Sequence, residues 1–113
     1  MKIEVNILEK YLHHRYAGWA NEQGLFMKLV EEVGEVAEVL NLRDGRKTAA
    51  DPTRDLDLEL GTELADIIHY VVSIAAINGI DLEKIMLDKD RVASVKYGHD
   101  INLEDFITAE SKA

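Results

Sequence analysis

Between Leu56 and Ile77 the chain is apolar around more than half of a helical circumference. Leu60, Leu64, Ile67, Ile68, Val71, Val72, Ile74 and Ala75 fit no single narrow stripe. A helix of this kind must be contacted from several sides, so it belongs at the centre of the fold. The segments available to contact it are themselves helical. Glycine and the single proline fall mostly at breaks, and no strand-length alternation with hairpin turns occurs.

A first helix is expected from Ile3 to Trp19, with Val5, Leu8, Leu12, Tyr16 and Trp19 on one stripe. A second runs from Leu25 to Leu42 and turns Phe26, Leu29, Val33, Val36, Ala37 and Leu40 toward a core. The polar break Asp44 to Asp55 holds Pro52 and precedes the third, central helix. Asn78-Gly79 stops that helix, Asp81 caps a fourth, and Gly98 ends the fourth after Tyr97. The expected fold is all-α, a bundle of four main helices over residues 1–98. Residues 99–113 form a C-terminal tail with a short helix around Leu103 to Ala109. Three helices are few to surround the third. A chain of 113 residues buries only about two-thirds of its unfolded surface, so homo-oligomerisation is expected to complete the bundle.

Composition narrows the function. There is no cysteine, which excludes a disulfide scaffold, a thiol nucleophile and thiolate metal sites. A formal charge of −9 argues against binding a nucleic-acid polymer. A small anionic substrate remains compatible with that charge if a metal bridges it to the protein. The N-terminus has the pattern of no signal peptide, and the apolar stretch Ile67 to Ile80, with His69 and Asn78 inside it, is shorter than a bilayer span. A cytoplasmic protein without a membrane partner is the expectation.

Two helices carry acids three residues apart on their packing sides. Glu32 and Glu35 share a face of the second helix, with Glu32 at the border of the apolar stripe. On the third helix Glu63 projects between Leu60, Ile67 and Ile74, and Asp66 lies at the edge of that sector. Carboxylates so placed repel, and burying them unpaired is costly or forces protonation. A hard divalent cation removes both penalties, and oxygen-only ligation suits Mg²⁺, with Mn²⁺ as a substitute. Such sites are completed by substrate phosphates. Acids on helices are also commonplace on solvated faces, and Glu31 and Glu38 fit that bland reading. On the fourth helix Lys89 interrupts the stripe Leu82, Ile85, Met86, Val92 and Ala93, with Lys96 further along the same side. Lys89 either meets an anion there or reaches past its own apolar stem to solvent.

At these residues the sequence resembles the MazG-type all-α nucleoside triphosphate pyrophosphohydrolases, whose superfamily includes dimeric dUTPases and phosphoribosyl-ATP pyrophosphohydrolase. Their signature, E-E-x-x-E then E-x-x-D, reads here Glu31-Glu32-Val33-Gly34-Glu35 and, after the 27 residues 36–62, Glu63-Leu64-Ala65-Asp66. The likeness extends over residues 19 to 98. It implies that Glu32, Glu35, Glu63 and Asp66 ligate Mg²⁺ and that Glu31 orders or deprotonates the attacking water. It also implies that Lys89 lies near the phosphates. The implied reaction is hydrolysis of a nucleoside triphosphate, often deoxy or noncanonical, to monophosphate and pyrophosphate, by a homodimer or homotetramer. Many relatives carry asparagine four residues after that lysine, where this chain has Ala93, and an alanine cannot hydrogen-bond a sugar or phosphate. A noncatalytic oligomerisation or regulatory module and phosphoribosyl-ATP hydrolysis are the competing functions on this fold.

Other residues carry weaker signals. Trp19 suits stacking on a nucleobase, although a tryptophan at the end of the first helix is more often a core anchor. Arg43, Arg46, Lys47 and Arg54 surround the long break, where they either reach a triphosphate or solubilise the loop. Asp66 and His69 make a single D-x-x-H step, which favours a packing histidine over a metal ligand. His13, His14 and His99 have no second ligand set. Gly34, costly inside a helix, suits a close approach by substrate or another helix.

Overall fold

Four of the five helices begin where a short polar side chain closes the first turn; the first, preceded by Glu4, has no side-chain cap. Asn21 Oδ1 accepts from the Gly24 amide at 2.7 Å, Asp55 Oδ1 from Leu58 at 3.0 Å, and Asp81 Oδ1 from Lys84 at 3.1 Å. Asn102 Oδ1 does the same for Asp105 at 2.8 Å. These caps satisfy amides that have no partner within the helix. In this computed structural model, which describes residues 1–45 and 50–112, the resulting helices are α1 Val5–Tyr16, α2 Glu22–Arg43, α3 Leu56–Ile77, α4 Leu82–Tyr97 and α5 Leu103–Lys112. Among the described residues helices are the sole regular elements. Gly98 ends α4 in the left-handed region at φ 66°, and His99 N then donates to Ser94 O at 2.9 Å.

α2 and α3 form an antiparallel pair. Asn78 at the end of α3 donates to Glu22 at the start of α2, at 3.0 Å, while Arg43 at the end of α2 pairs with Asp57 at 3.2 Å. α1 packs against the C-terminal half of α3, and Leu12, Tyr16, Leu25, Val72 and Ala76 close a core there. α1 and α4 cap one another: Glu83 accepts from Asn6 N at 3.0 Å and Glu9 accepts from Leu82 N at 2.9 Å. α5 hangs on α4 through polar contacts, Asp90 accepting from Leu103 N and Glu104 pairing with Arg91, both at 2.6 Å.

The expected core face of α2 needs correcting. Phe26, Val33 and Leu40 are exposed, as is Ala37, whereas Leu25, Val39 and Leu42 are buried and Leu29 and Val36 half-buried. The helix carries two apolar stripes, and α3 covers the one running through Leu25, Leu29, Glu32, Val36 and Val39. α1 ends at Tyr16, so Trp19 sits in the following turn rather than on the helix.

Much apolar surface stays uncovered. Leu64, Ile68 and Val71 on α3 are exposed, as are Ile85, Met86 and Val92 on α4. The radius of gyration is 17.6 Å, against about 13 Å for a compact chain of this length. α3 has 22 residues and contains an 18-residue window of mean hydropathy 1.4, long and apolar enough to cross a membrane, contrary to the expectation from Ile67–Ile80 alone. The central helix of a water-soluble bundle has the same composition, and α3 is the helix against which both α1 and α2 pack.

Candidate metal centre

The buried stripe of α2 and the facing stripe of α3 follow alternating three- and four-residue steps, the spacing that keeps a seam of side chains facing a partner helix. Glu32 interrupts the first between Leu29 and Val36, and Glu63 the second between Leu60 and Ile67. Asp66 adds a third carboxylate one turn along α3. One oxygen from each of Glu32, Glu63 and Asp66 lies within 4.8 Å of the other two. Glu32 Oε2 is shielded from solvent and has no hydrogen-bond partner.

Crowding changes the chemistry of Glu32. A hydrogen bond with Glu63, burial, and the nearby charges of Glu63, Asp66 and Glu31 together push its carboxyl up to about 7. The protein therefore holds a proton where charge neutralisation is demanded. A divalent cation would meet the same demand. The donor set is all oxygen, includes a shielded acceptor without a partner, and fits a hard ion such as Mg²⁺.

The other acids stand outside this group. Glu35, three residues beyond Glu32, is exposed and is not among the converging carboxylates. Glu31 is exposed and pairs with Lys28 at 3.4 Å. Lys89 and Lys96 are exposed on α4, which packs chiefly on α1 and α5, so one protomer does not gather them with the acids. Lys96 lies over the Tyr97 ring, 5.3 Å from its centroid. Arg43 pairs with Asp57, and Arg54 makes a two-pronged contact with Glu59. Arg46 and Lys47 lie outside the described residues. Gly34 faces open space, with no atom of the protomer within 4 Å of where a Cβ would stand.

Trp19 is 70% exposed. Its Nε1 donates to Arg15 O at 2.7 Å, and its ring lies 5.5 Å from that of Tyr16. With Tyr16, Leu25, Lys28 and Tyr70 it lines a cavity of about 310 Å³. This cavity adjoins the carboxylates, because Lys28 and Tyr70 in its lining stand one helical turn from Glu32 and Asp66. Burial and then the charges of Tyr16, Glu32 and Asp66 raise the Tyr70 phenol, and Lys28 opposes them. Sequence reasoning missed Lys28 and Tyr70. The signal was present, since Lys28 precedes Glu32 by four residues and Tyr70 follows Asp66 by four, each one turn away on the same face. His69 is a packing histidine, its Nε2 2.7 Å from the Tyr16 hydroxyl.

The family model of the MazG nucleotide pyrophosphohydrolase domain matches residues 20–89. These span α2, α3 and the first half of α4, and with them all three converging carboxylates. Among solved structures, the crystal structure of iMazG from Vibrio DAT 722 superposes with a TM-score of 0.63 at 31% sequence identity, covering 84% of this chain and 98% of that one. No curated protein matches significantly.

Proposed function

Because the chain belongs to the MazG nucleotide pyrophosphohydrolase family, we propose that it hydrolyses a nucleoside triphosphate, deoxy or noncanonical, to the monophosphate and pyrophosphate. The observation that carries this reading is the convergence of Glu32, Glu63 and Asp66 around a shielded, unpaired oxygen. Those three residues would hold Mg²⁺, with Mn²⁺ as a substitute. Glu35 is the proposed fourth ligand, reaching the site by a change of rotamer. When bound, the cation supplies the positive charge that phosphate oxygens and crowded carboxylates both need.

The remaining roles belong to the chain itself. Glu31 orients a water and takes its proton as the water oxygen bonds to the α-phosphorus. The bond from that phosphorus to the bridging oxygen breaks, and pyrophosphate leaves. The cavity beside Trp19 and Tyr70 receives the base, since aromatic faces stack on any nucleobase. Lys28 stands between the cavity and the acids. Lys89 and Lys96 are proposed to meet phosphates within a homodimer or homotetramer. A second copy would also cover the exposed stripes of Phe26, Val30 and Val33 and of Leu64, Ile68 and Val71. We extend the same reading to a cytoplasmic protein.

The test is product analysis over a panel of canonical and altered nucleoside triphosphates and phosphoribosyl-ATP, with Mg²⁺ and with chelator. Metal-dependent release of monophosphate and pyrophosphate is expected. Diphosphate and orthophosphate as products, or turnover unaffected by chelator, would overturn the reading. Exclusive use of phosphoribosyl-ATP would reassign the substrate, and no turnover of any member would favour a noncatalytic module.

A further inference from the structure

The polar contact between Tyr16 and His69 has no role in the catalytic reading. Tyr16, the last residue of α1, is 8% exposed, and its hydroxyl lies 2.7 Å from Nε2 of His69 on α3. His69 follows Asp66 by three residues. Its ring meets that of Tyr16 edge-on at 5.6 Å and that of Tyr70 edge-on at 5.0 Å. With Trp19 against Tyr16, four rings run without interruption from the turn after α1 to the helix that bears Glu63 and Asp66.

The indole hydrogen bond of Trp19 and its ring contact both go to α1, to Arg15 and Tyr16. Gly18, at φ 90°, reverses the chain between Tyr16 and Trp19, and the indole bonds back to Arg15 in the last turn of α1. The indole therefore goes wherever the end of α1 goes. Its polar tie to α3 is the Tyr16 hydroxyl, and packing alone would be served equally by phenylalanine. We propose that Tyr16 and His69 are a positioning pair: their hydrogen bond holds the Trp19 wall of the cavity in register with the carboxylates, so that a base and its phosphates engage both at once. The proposal rests on the reading of the cavity as a base site. The Tyr16 ring lines the cavity, but its hydroxyl is engaged by His69 and acts through Trp19.

The chain has a single tryptophan, so indole emission reports on this wall directly. Affinity for a nonhydrolysable nucleoside triphosphate with Mg²⁺, and KM and kcat for the preferred substrate, complete the measurement. Tyr16→Phe is expected to red-shift Trp19 emission and to raise Kd and KM about fivefold or more, the scale of one lost hydrogen bond, with kcat within about twofold. His69→Phe keeps a ring but loses the partner atom, and should show the same weakening. His69→Gln places an amide near the position of Nε2 and should retain most of the parent affinity. Helix content and the stabilisation by Mg²⁺ should stay at parent levels in all three. Parent Kd and unshifted emission in both Tyr16→Phe and His69→Phe would overturn the pair. Trp19→Ala separates the two levels. If it weakens binding while the pair variants do not, the pair alone is rejected. If it binds as the parent does, the base site fails and the pair falls with it.

Discussion

The seam along α3 has two regions built on the same spacing and filled with opposite chemistry. Toward the end of α3, Leu12, Tyr16 and Leu25 close over Val72 and Ala76 in a dry cluster. Near its middle, positions of the same kind hold Glu32 and Glu63, with Asp66 beside them, and one oxygen there has no partner. The first region gains from every apolar atom removed from water, while the second works against folding unless a proton or a cation enters it. The dry end supplies the rigidity with which the charged middle is held together.

Leu12→Ala in the dry end is expected to have the largest effect on stability. Leu12 is fully buried, and its truncation should cost about 2–5 kcal/mol, read as a lower melting temperature. The stabilisation that Mg²⁺ adds should survive in the variant. If it disappears, the two regions are one cooperative unit.

Asp66→Asn or Glu63→Gln should invert that pattern. Turnover is expected to fall by about 10²–10³-fold, a loss typical of removing a group that stabilises transition-state charge. The metal-free variant should melt at or above the parent temperature, because one repulsive charge is gone, and should gain little from Mg²⁺. A variant that melts markedly lower in chelator but turns over normally would make the cluster a structural device.

The pH dependence sharpens the same contrast. Glu32 keeps its proton up to about 7 when folded, against an ordinary value of 4.5, chiefly through its hydrogen bond with Glu63. The folded state thus binds more protons between these values. The contribution of Glu32 to metal-free stability should fall as pH rises from about 4.5 to about 7, with the penalty complete above that. The difference in melting temperature between the parent and Glu32→Gln in chelator, followed across this window, isolates the group. A difference independent of pH would show that Glu32 ionises normally. Stabilisation by Mg²⁺ should grow as pH rises through the same range.

Smaller effects are expected away from the seam. Lys89→Met should retain helix content and lower kcat/KM by about tenfold, the scale of one charge-assisted contact. Parent activity in steady-state assays would leave Lys89 a solvated side chain. Arg43→Ala breaks an exposed ion pair with Asp57 and should change stability by only about 0.5 kcal/mol, measured by denaturant unfolding.

Much of this molecule was legible in its residues. Asp81 and Gly98 mark the two ends of the fourth helix by chemistry confined to one turn, and Glu63 among Leu60, Ile67 and Ile74 announces a carboxylate turned toward the seam. The short helix in the tail and the packing role of His69 were equally readable. The core face of α2 was not. Phe26, Val33 and Leu40 form as good an apolar stripe as Leu25, Leu29 and Val39, and local periodicity gives no reason to prefer either. The location of Trp19 failed for a related reason, since its place on the stripe of α1 assumed a helix that stops at Tyr16.

What the sequence determined by itself is therefore local and compositional: five helices, their caps, two acid pairs in oxygen-only company, and the family those pairs mark. The tertiary structure decided how α2 rotates about its own axis, which puts Glu32 in the seam and leaves Glu35 outside. It also decided that Tyr16 meets His69 across 53 positions of chain. The physical reason is one of range. A cap or a helical period is settled by neighbours within a turn, whereas the rotation of one helix against another is settled by the summed burial of all its faces, and no single turn contains that sum.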